Sequence, residues 1–161
     1  MIIRDAILDD IPEIKNLLAQ AWQETYGDVL SAETIEKVTS VWHNPELFKI
    51  QIKDPSIYFV VAQDDDGRLL GMATAVVVDE QTCMLTRLYV HPAFQKRGTG
   101  TALMEAAISH FPNAVKIRIE VLEKNYKART YYTNNGFVEL EKHDESIGND
   151  LVSTVIMEKD K

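Results

Sequence analysis

The chain has 161 residues, 45% of them hydrophobic and 26% charged, enough to bury a substantial core, and no stretch approaches the ~20 apolar residues of a membrane span. Its one cysteine, Cys83, excludes an internal disulfide framework and a cysteine-cluster zinc site. A formal net charge of −8 argues against a nucleic-acid surface and mildly favours small cationic partners.

The length predicts one domain spanning 1–161. Charge within the opening MIIRDAILDDIPEI rules out a signal peptide there, so a cytoplasmic protein is expected. IIRDAI alternates and reads as a first strand. Asp9 and Asp10 offer an N-cap, and Ile11, Ile14, Leu17, Leu18, Ala21 and Trp22 recur at helical spacing as far as Tyr26, before Gly27. SAETIEKVTSVW is a second helix opening at Ser31, and HNPELFKIQIKDPS a short helix plus loop. IYFVVAQ and RLLGMATAVVV are strands joined by a DDDG turn, and CMLTRLYV follows antiparallel to them. ALMEAAISHF is a helix stopped at Pro112, and AVKIRIEVL is a strand. Asn125 to Asn135 is a helix with Gly136 past its end, and FVELEK and LVSTVIMEK close the chain as strands. A strand, a helix and a strand over 83–121 predict a parallel crossover, hence α/β with a mixed sheet.

Between the third strand and its helix lies FQKRGTGT. A helix start leaves backbone N–H groups free at the positive end of the dipole, and glycines let an anion approach the main chain. Gln95, Lys96, Arg97, Gly98, Thr99, Gly100 and Thr101 therefore predict a phosphate or pyrophosphate site. The string is neither a P-loop nor a dinucleotide fingerprint, since no glycine stands at the third offset. A glycine-eased loop without a ligand fits the local pattern too.

LTRLYVHPAFQKRGTGTALMEAA resembles the central block of the GNAT superfamily of N-acetyltransferases, with Gln95, Gly98 and Gly100 at its defining positions. IEVLEKNYKARTYYTNNGF is similar to that family's later strand and helix, with Asn125, Ala128, Tyr132 and Gly136-Phe137 in register. The resemblance implies a GNAT-type acyl-CoA N-acyltransferase fold. Its central mixed sheet would have antiparallel N-terminal strands and a splayed parallel pair in the middle, flanked by helices. It implies acetyl-CoA as cosubstrate, with amides of 95–101 on the pyrophosphate and main-chain groups near Leu88 and Val90 pairing with the pantetheine arm as an added strand. Asn125 and Ala128 would complete the cofactor site, and Lys124, Lys127 and Arg129 either approach the adenosine or form a solvated face. No metal is implied, and a homodimer is compatible.

Acetyl transfer requires a neutral amine, a polarised thioester and a proton for the departing thiolate. Tyr132 matches the family's tyrosine near the cofactor sulfur, whereas its neighbour Tyr131 diverges by about 100° and reads as packing. Many relatives carry a glutamate where this chain has Thr86, which puts a base on that strand in doubt. Glu120, on the strand face opposite Ile117, Ile119 and Val121, is the expected base, directly or through water. His91 is expected to be structural, and Trp22 and Tyr26 either pack or touch the acceptor. The expected reaction is acetyl transfer to a primary amine, with a polyamine-like cation favoured over a peptide amine. A CoA-binding regulatory domain without turnover and a phosphotransferase are the rival readings.

Overall fold

The computed structural model describes residues 1–161, and its elements form where the apolar periodicities place them. In chain order they are β1 (Ile2–Asp5), α1 (Ile11–Tyr26), α2 (Ala32–Trp42), α3 (Pro45–Lys53), β2 (Ile57–Gln63), β3 (Leu69–Val77), β4 (Thr82–Val90), α4 (Thr99–His110), β5 (Lys116–Leu122), α5 (Tyr126–Asn134), β6 (Val138–Ile147) and β7 (Asp150–Asp160). The strands make one sheet in the order β1-β2-β3-β4-β5-β7-β6. Every neighbouring pair is antiparallel except β4 and β5. No helix is long and apolar enough to cross a membrane.

The β4–β5 pair positions the site. Its parallel register holds only at Thr82–Lys116, Cys83–Ile117 and Met84–Arg118. Beyond Met84 the strands part, and the β4 edge that faces β5 is left without a partner strand. A bulge starts the divergence: β3 pairing steps from Ala75–Leu85 to Thr74–Arg87, so Thr86 has no opposite residue. The Thr86 hydroxyl is held by Thr74, 2.7 Å from its Oγ1 and 3.1 Å from its carbonyl.

Helices α4 and α5 cover one face, where Leu103, Met104, Ala107, Ile117, Ile119, Tyr132 and Phe137 join a buried cluster. On the other face, Ile14, Leu17 and Leu18 of α1 meet Phe48 of α3 and Phe59, Val61 and Met72 of the sheet. A third cluster joins Trp22, Tyr26, Leu30, Ile35 and Val38 to Leu122 and Ile147, seating α1 and α2 beside the point where β4 and β5 separate.

Three expectations need correction. Asp10 stands at the start of α1 without capping it. Its carboxylate accepts from Arg4 Nη1 and Nη2, each at 2.8 Å, and from the Ile7 amide at 2.9 Å, because a paired charge outcompetes a single N–H. The stretch read as a short helix plus loop is a helix over Pro45–Lys53, with Asn44 Oδ1 accepting from the Glu46 amide at 2.8 Å. The last strands are longer than FVELEK and LVSTVIMEK, because KHDESI forms a solvated edge strand that carries no apolar alternation to announce it. Gly148 turns that hairpin with φ 60, where a Cβ would stand 2.9 Å from Thr34 Oγ1.

His43, at the end of α2, is 2% exposed between Trp22 and Phe48, and its Nδ1 has no partner. Burial, then the Arg87 charge, pull its pKa down to about 4. Between roughly pH 6.5 and pH 4 the unfolded chain therefore takes a proton that the folded chain refuses. Stability is expected to fall by about 3 kcal/mol across that window. Denaturant titrations at several pH values should show a much flatter profile for His43→Phe. A variant curve parallel to the parent's would assign the acid loss to other groups.

Candidate active site

Gly98, at φ 84, turns the chain into α4, and Lys96, at φ 61, is the only non-glycine residue with positive φ. Alternating left- and right-handed backbone of this kind aims successive N–H groups at one point. The amides of Lys96, Arg97, Gly98, Thr99, Gly100 and Thr101 accordingly have no intramolecular acceptor; the first helical bond is Ala102 N–H to the Gly98 carbonyl at 2.9 Å. A Cβ on Gly98 would meet nothing within 4 Å, so the backbone there is open to approach. Gly100 instead packs inward, where a Cβ would lie 3.4 Å from the Tyr131 hydroxyl and 3.5 Å from Val90 Cγ2. The donors, the dipole of a 12-residue helix and the cations Lys96 and Arg97 suit a diphosphate.

Gln95 braces this loop. Its Nε2 donates to the Val90 carbonyl at 3.3 Å, and its Oε1 accepts from Lys127 Nζ at 2.6 Å. Lys127, on an exposed face of α5, thus also joins the loop to that helix. Arg129 is occupied elsewhere, by Glu139 at 2.6 Å and the Glu123 carbonyl at 2.9 Å, and Lys124 lines a cavity described below. Leu88 and Val90 pack toward the α4–α5 core, with their main chain beyond the last β4–β5 register pair. Asn125 caps α5, its Oδ1 accepting the Ala128 amide at 3.1 Å. His91 Nδ1 accepts from the Ala93 amide at 3.2 Å, so it shapes the turn before the loop.

Tyr132 is 9% exposed, edge-on to Phe137 and Tyr131. Burial raises its pKa, and the phenols of Tyr131 and Tyr26 add to the shift. Its hydroxyl has no partner in the chain and is not sealed off; the sealed, unpartnered side-chain atoms are Trp22 Nε1 and His43 Nδ1. On the opposite face of β4, Tyr89 packs with Trp22 and Tyr26, and burial raises its phenol as well. Tyr26 and Tyr89 thus share the cluster beside the point where β4 and β5 part, and Tyr132 belongs to the cluster on the other face. Sequence reading misses Tyr89; alternation against Leu88 and Val90 is the signal that could have found it.

Glu120 lies, as expected, on the face opposite Ile117, Ile119 and Val121, and it is exposed. It shares a cross-strand row with Ile156 and Glu141; the next row is Leu122, Thr154 and His143. Glu145 accepts from the Thr154 hydroxyl and lies 3.9 Å from His143 Nε2. Beside these rows is a cavity of about 260 Å³ lined by Val29, Leu122, Glu123, Lys124 and Asp150–Ser153. Two carboxylates and one cation border it.

The sequence pattern of the acetyltransferase (GNAT) family matches residues 11–137. The chain belongs to that family. This acetyltransferase draws on acetyl-CoA, the family's acyl donor. It is 24% identical over 132 residues to an uncharacterized N-acetyltransferase of Mycobacterium tuberculosis, covering 81% of this chain and 84% of the relative. A mycothiol acetyltransferase of Beutenbergia cavernae is 33% identical over 92 residues, 56% of this chain and 31% of that protein. The fold matches the PaiA N-acetyltransferase of Thermoplasma acidophilum, solved with coenzyme A, at a TM-score of 0.84 and 23% identity over 99% of this chain and 98% of that one. A Vibrio cholerae spermidine N-acetyltransferase chimera matches with a TM-score of 0.72 at 22% identity, covering 99% and 95%.

Proposed function

We propose that residues 1–161 form one acetyltransferase domain that moves the acetyl group of acetyl-CoA directly to a primary amine of a small cationic acceptor, a polyamine first. The observation that carries the reading is the run of open amides from Lys96 to Thr101 beside the β4–β5 slot. Lys96 to Thr101 hold the diphosphate, while Gln95, expected to offer its amide too, has that N–H on the Pro92 carbonyl at 3.4 Å and braces the loop with its side chain. Main-chain groups at Leu88 and Val90 pair with the pantetheine arm, and Asn125 and Ala128 flank it at the head of α5. The amine nitrogen forms its bond to the thioester carbonyl carbon, the carbon–sulfur bond breaks, and the thiolate departs toward the Tyr132 hydroxyl. Glu120 takes the proton released by the amine, directly or through water, since an alkylammonium with pKa near 10.4 is otherwise charged at neutral pH.

Charge favours the cationic acceptor. Glu120 and Glu141 stand two strands apart, roughly 10 Å, on one face, with Asp150 at the neighbouring cavity, where Glu123 is already paired with Lys142 at 2.7 Å. An acceptor with more than one ammonium can engage both carboxylates. Thiol release from acetyl-CoA should be measured over spermidine, diamines, aminoglycosides and peptides. Tight CoA binding without turnover on any amine would identify a binding module instead.

Glu120→Gln is expected to lower kcat by about 10- to 100-fold, most severely at lower pH, where the acceptor is most protonated. A change confined to the acceptor KM would make Glu120 a binding residue and move the base elsewhere.

A further inference from the structure

Tyr26 ends α1 and is 8% exposed, and its main chain and side chain serve different parts of the site. Its carbonyl accepts the amides of Val29 and Leu30, both at 2.9 Å, and so anchors the loop whose Val29 lines the 260 Å³ cavity. Its hydroxyl accepts from Asn125 Nδ2 at 3.4 Å, with the ring held against Trp22 at 4.5 Å. Asn125 uses its other amide atom to cap α5. Tyr132 lies about two turns further along α5, near the same face as the cap.

We propose that Tyr26 is a positioning residue for proton donation: its hydroxyl fixes the first turn of α5 through Asn125, and with it the Tyr132 hydroxyl, while its carbonyl fixes the acceptor-side loop to the same point. This assignment rests on the acetyltransferase reading above, in which Tyr132 meets the departing sulfur. Burial raises the Tyr26 phenol although its hydrogen bond with Asn125 opposes the shift, so the group stays neutral. The residue therefore connects the loop after α1 with the helix bearing the proton donor, beside the Glu24–Lys127 ion pair that links α1 and α5 at 3.6 Å.

The tie from Tyr26 is a long, neutral hydrogen bond, and the Glu24–Lys127 pair remains when it is removed, so its loss should be modest but specific. Tyr26→Phe, Tyr132→Phe and the double variant should be compared by steady-state kinetics and thermal denaturation. Tyr26→Phe is expected to lower kcat about 3- to 10-fold and to leave both KM values within about twofold, with an unchanged melting temperature. In the Tyr132→Phe background it should add nothing, because the group it positions is gone. Equal multiplicative losses in both backgrounds, an unaltered kcat, or an effect only on the acceptor KM would each overturn the positioning role. If Tyr132→Phe is slow and Tyr26→Phe is not, the positioning role alone fails. If Tyr132→Phe is itself as fast as the parent, the reading of Tyr132 fails and the role of Tyr26 falls with it.

Discussion

Tyr132→Phe is expected to lower kcat by about 100-fold while the KM for acetyl-CoA stays within about threefold. The hydroxyl has no partner in the chain, and the ring contacts with Phe137 and Tyr131 survive the change, so stability should not fall. The size of the effect follows from what a buried phenol can do. A thiol near pKa 8.5 is a stronger acid than a phenol raised above 10, so complete transfer from Tyr132 to free thiolate is uphill. Tyr132 therefore acts best as a hydrogen-bond donor to sulfur while charge is developing, with the final proton arriving as product leaves. The same upward shift keeps the phenol neutral at high pH. The parent's kcat should consequently show no loss attributable to Tyr132 between pH 8 and 10. A variant as fast as the parent would leave the departing thiolate to water.

The loop before α4 can be tested with two nearly isosteric side chains. Asn and Asp both tolerate the left-handed backbone that Gly98 adopts, and a Cβ there meets nothing in the chain. They differ in charge. Gly98→Asn should weaken acetyl-CoA binding by less than about 10-fold, and Gly98→Asp by about 100-fold, because a carboxylate would face a diphosphate at the positive end of a helix. Calorimetry with coenzyme A gives the affinities directly. At saturating donor both variants should retain much of the parent's kcat, since the interaction is equal in ground and transition states. Equal losses would point to bulk instead of charge. Unchanged affinity in both would remove the diphosphate from this loop.

The fold and this loop were legible for the same reason: each is written in local pattern. Helical spacing from Ile11 to Tyr26, the β-branched run at 57–63 and the glycine pair at 98 and 100 need only neighbouring residues to be read. Thr86 announced a departure from the family pattern, and the structure gives that residue a place, the unpaired position of a bulge. What local pattern does not hold is partnership across the chain. Arg4 diverts the Asp10 carboxylate from the helix that it precedes. The hydroxyl of Tyr26 and the amide of Asn125, 99 residues apart in sequence, meet only because α1 and the head of α5 are packed beside the same slot. Glu141 joins the row of Glu120 because β7 lies between their strands, a register that no stretch of sequence displays.

The placement of β7 also bears on synthesis. Residues 150–160 form the last strand in the sequence, yet they fill the space between two strands made before them. A nascent chain that has released β5 and β6 has only the short β4 pairing for β5 and no partner strand for β6. The edge of β5 stays open to other chains until the final strand slides in. Long-range pairing of this order is slow to form, so the interval between the appearance of β5 and the docking of Asp150–Asp160 is when its exposed edge is most prone to pair with other chains.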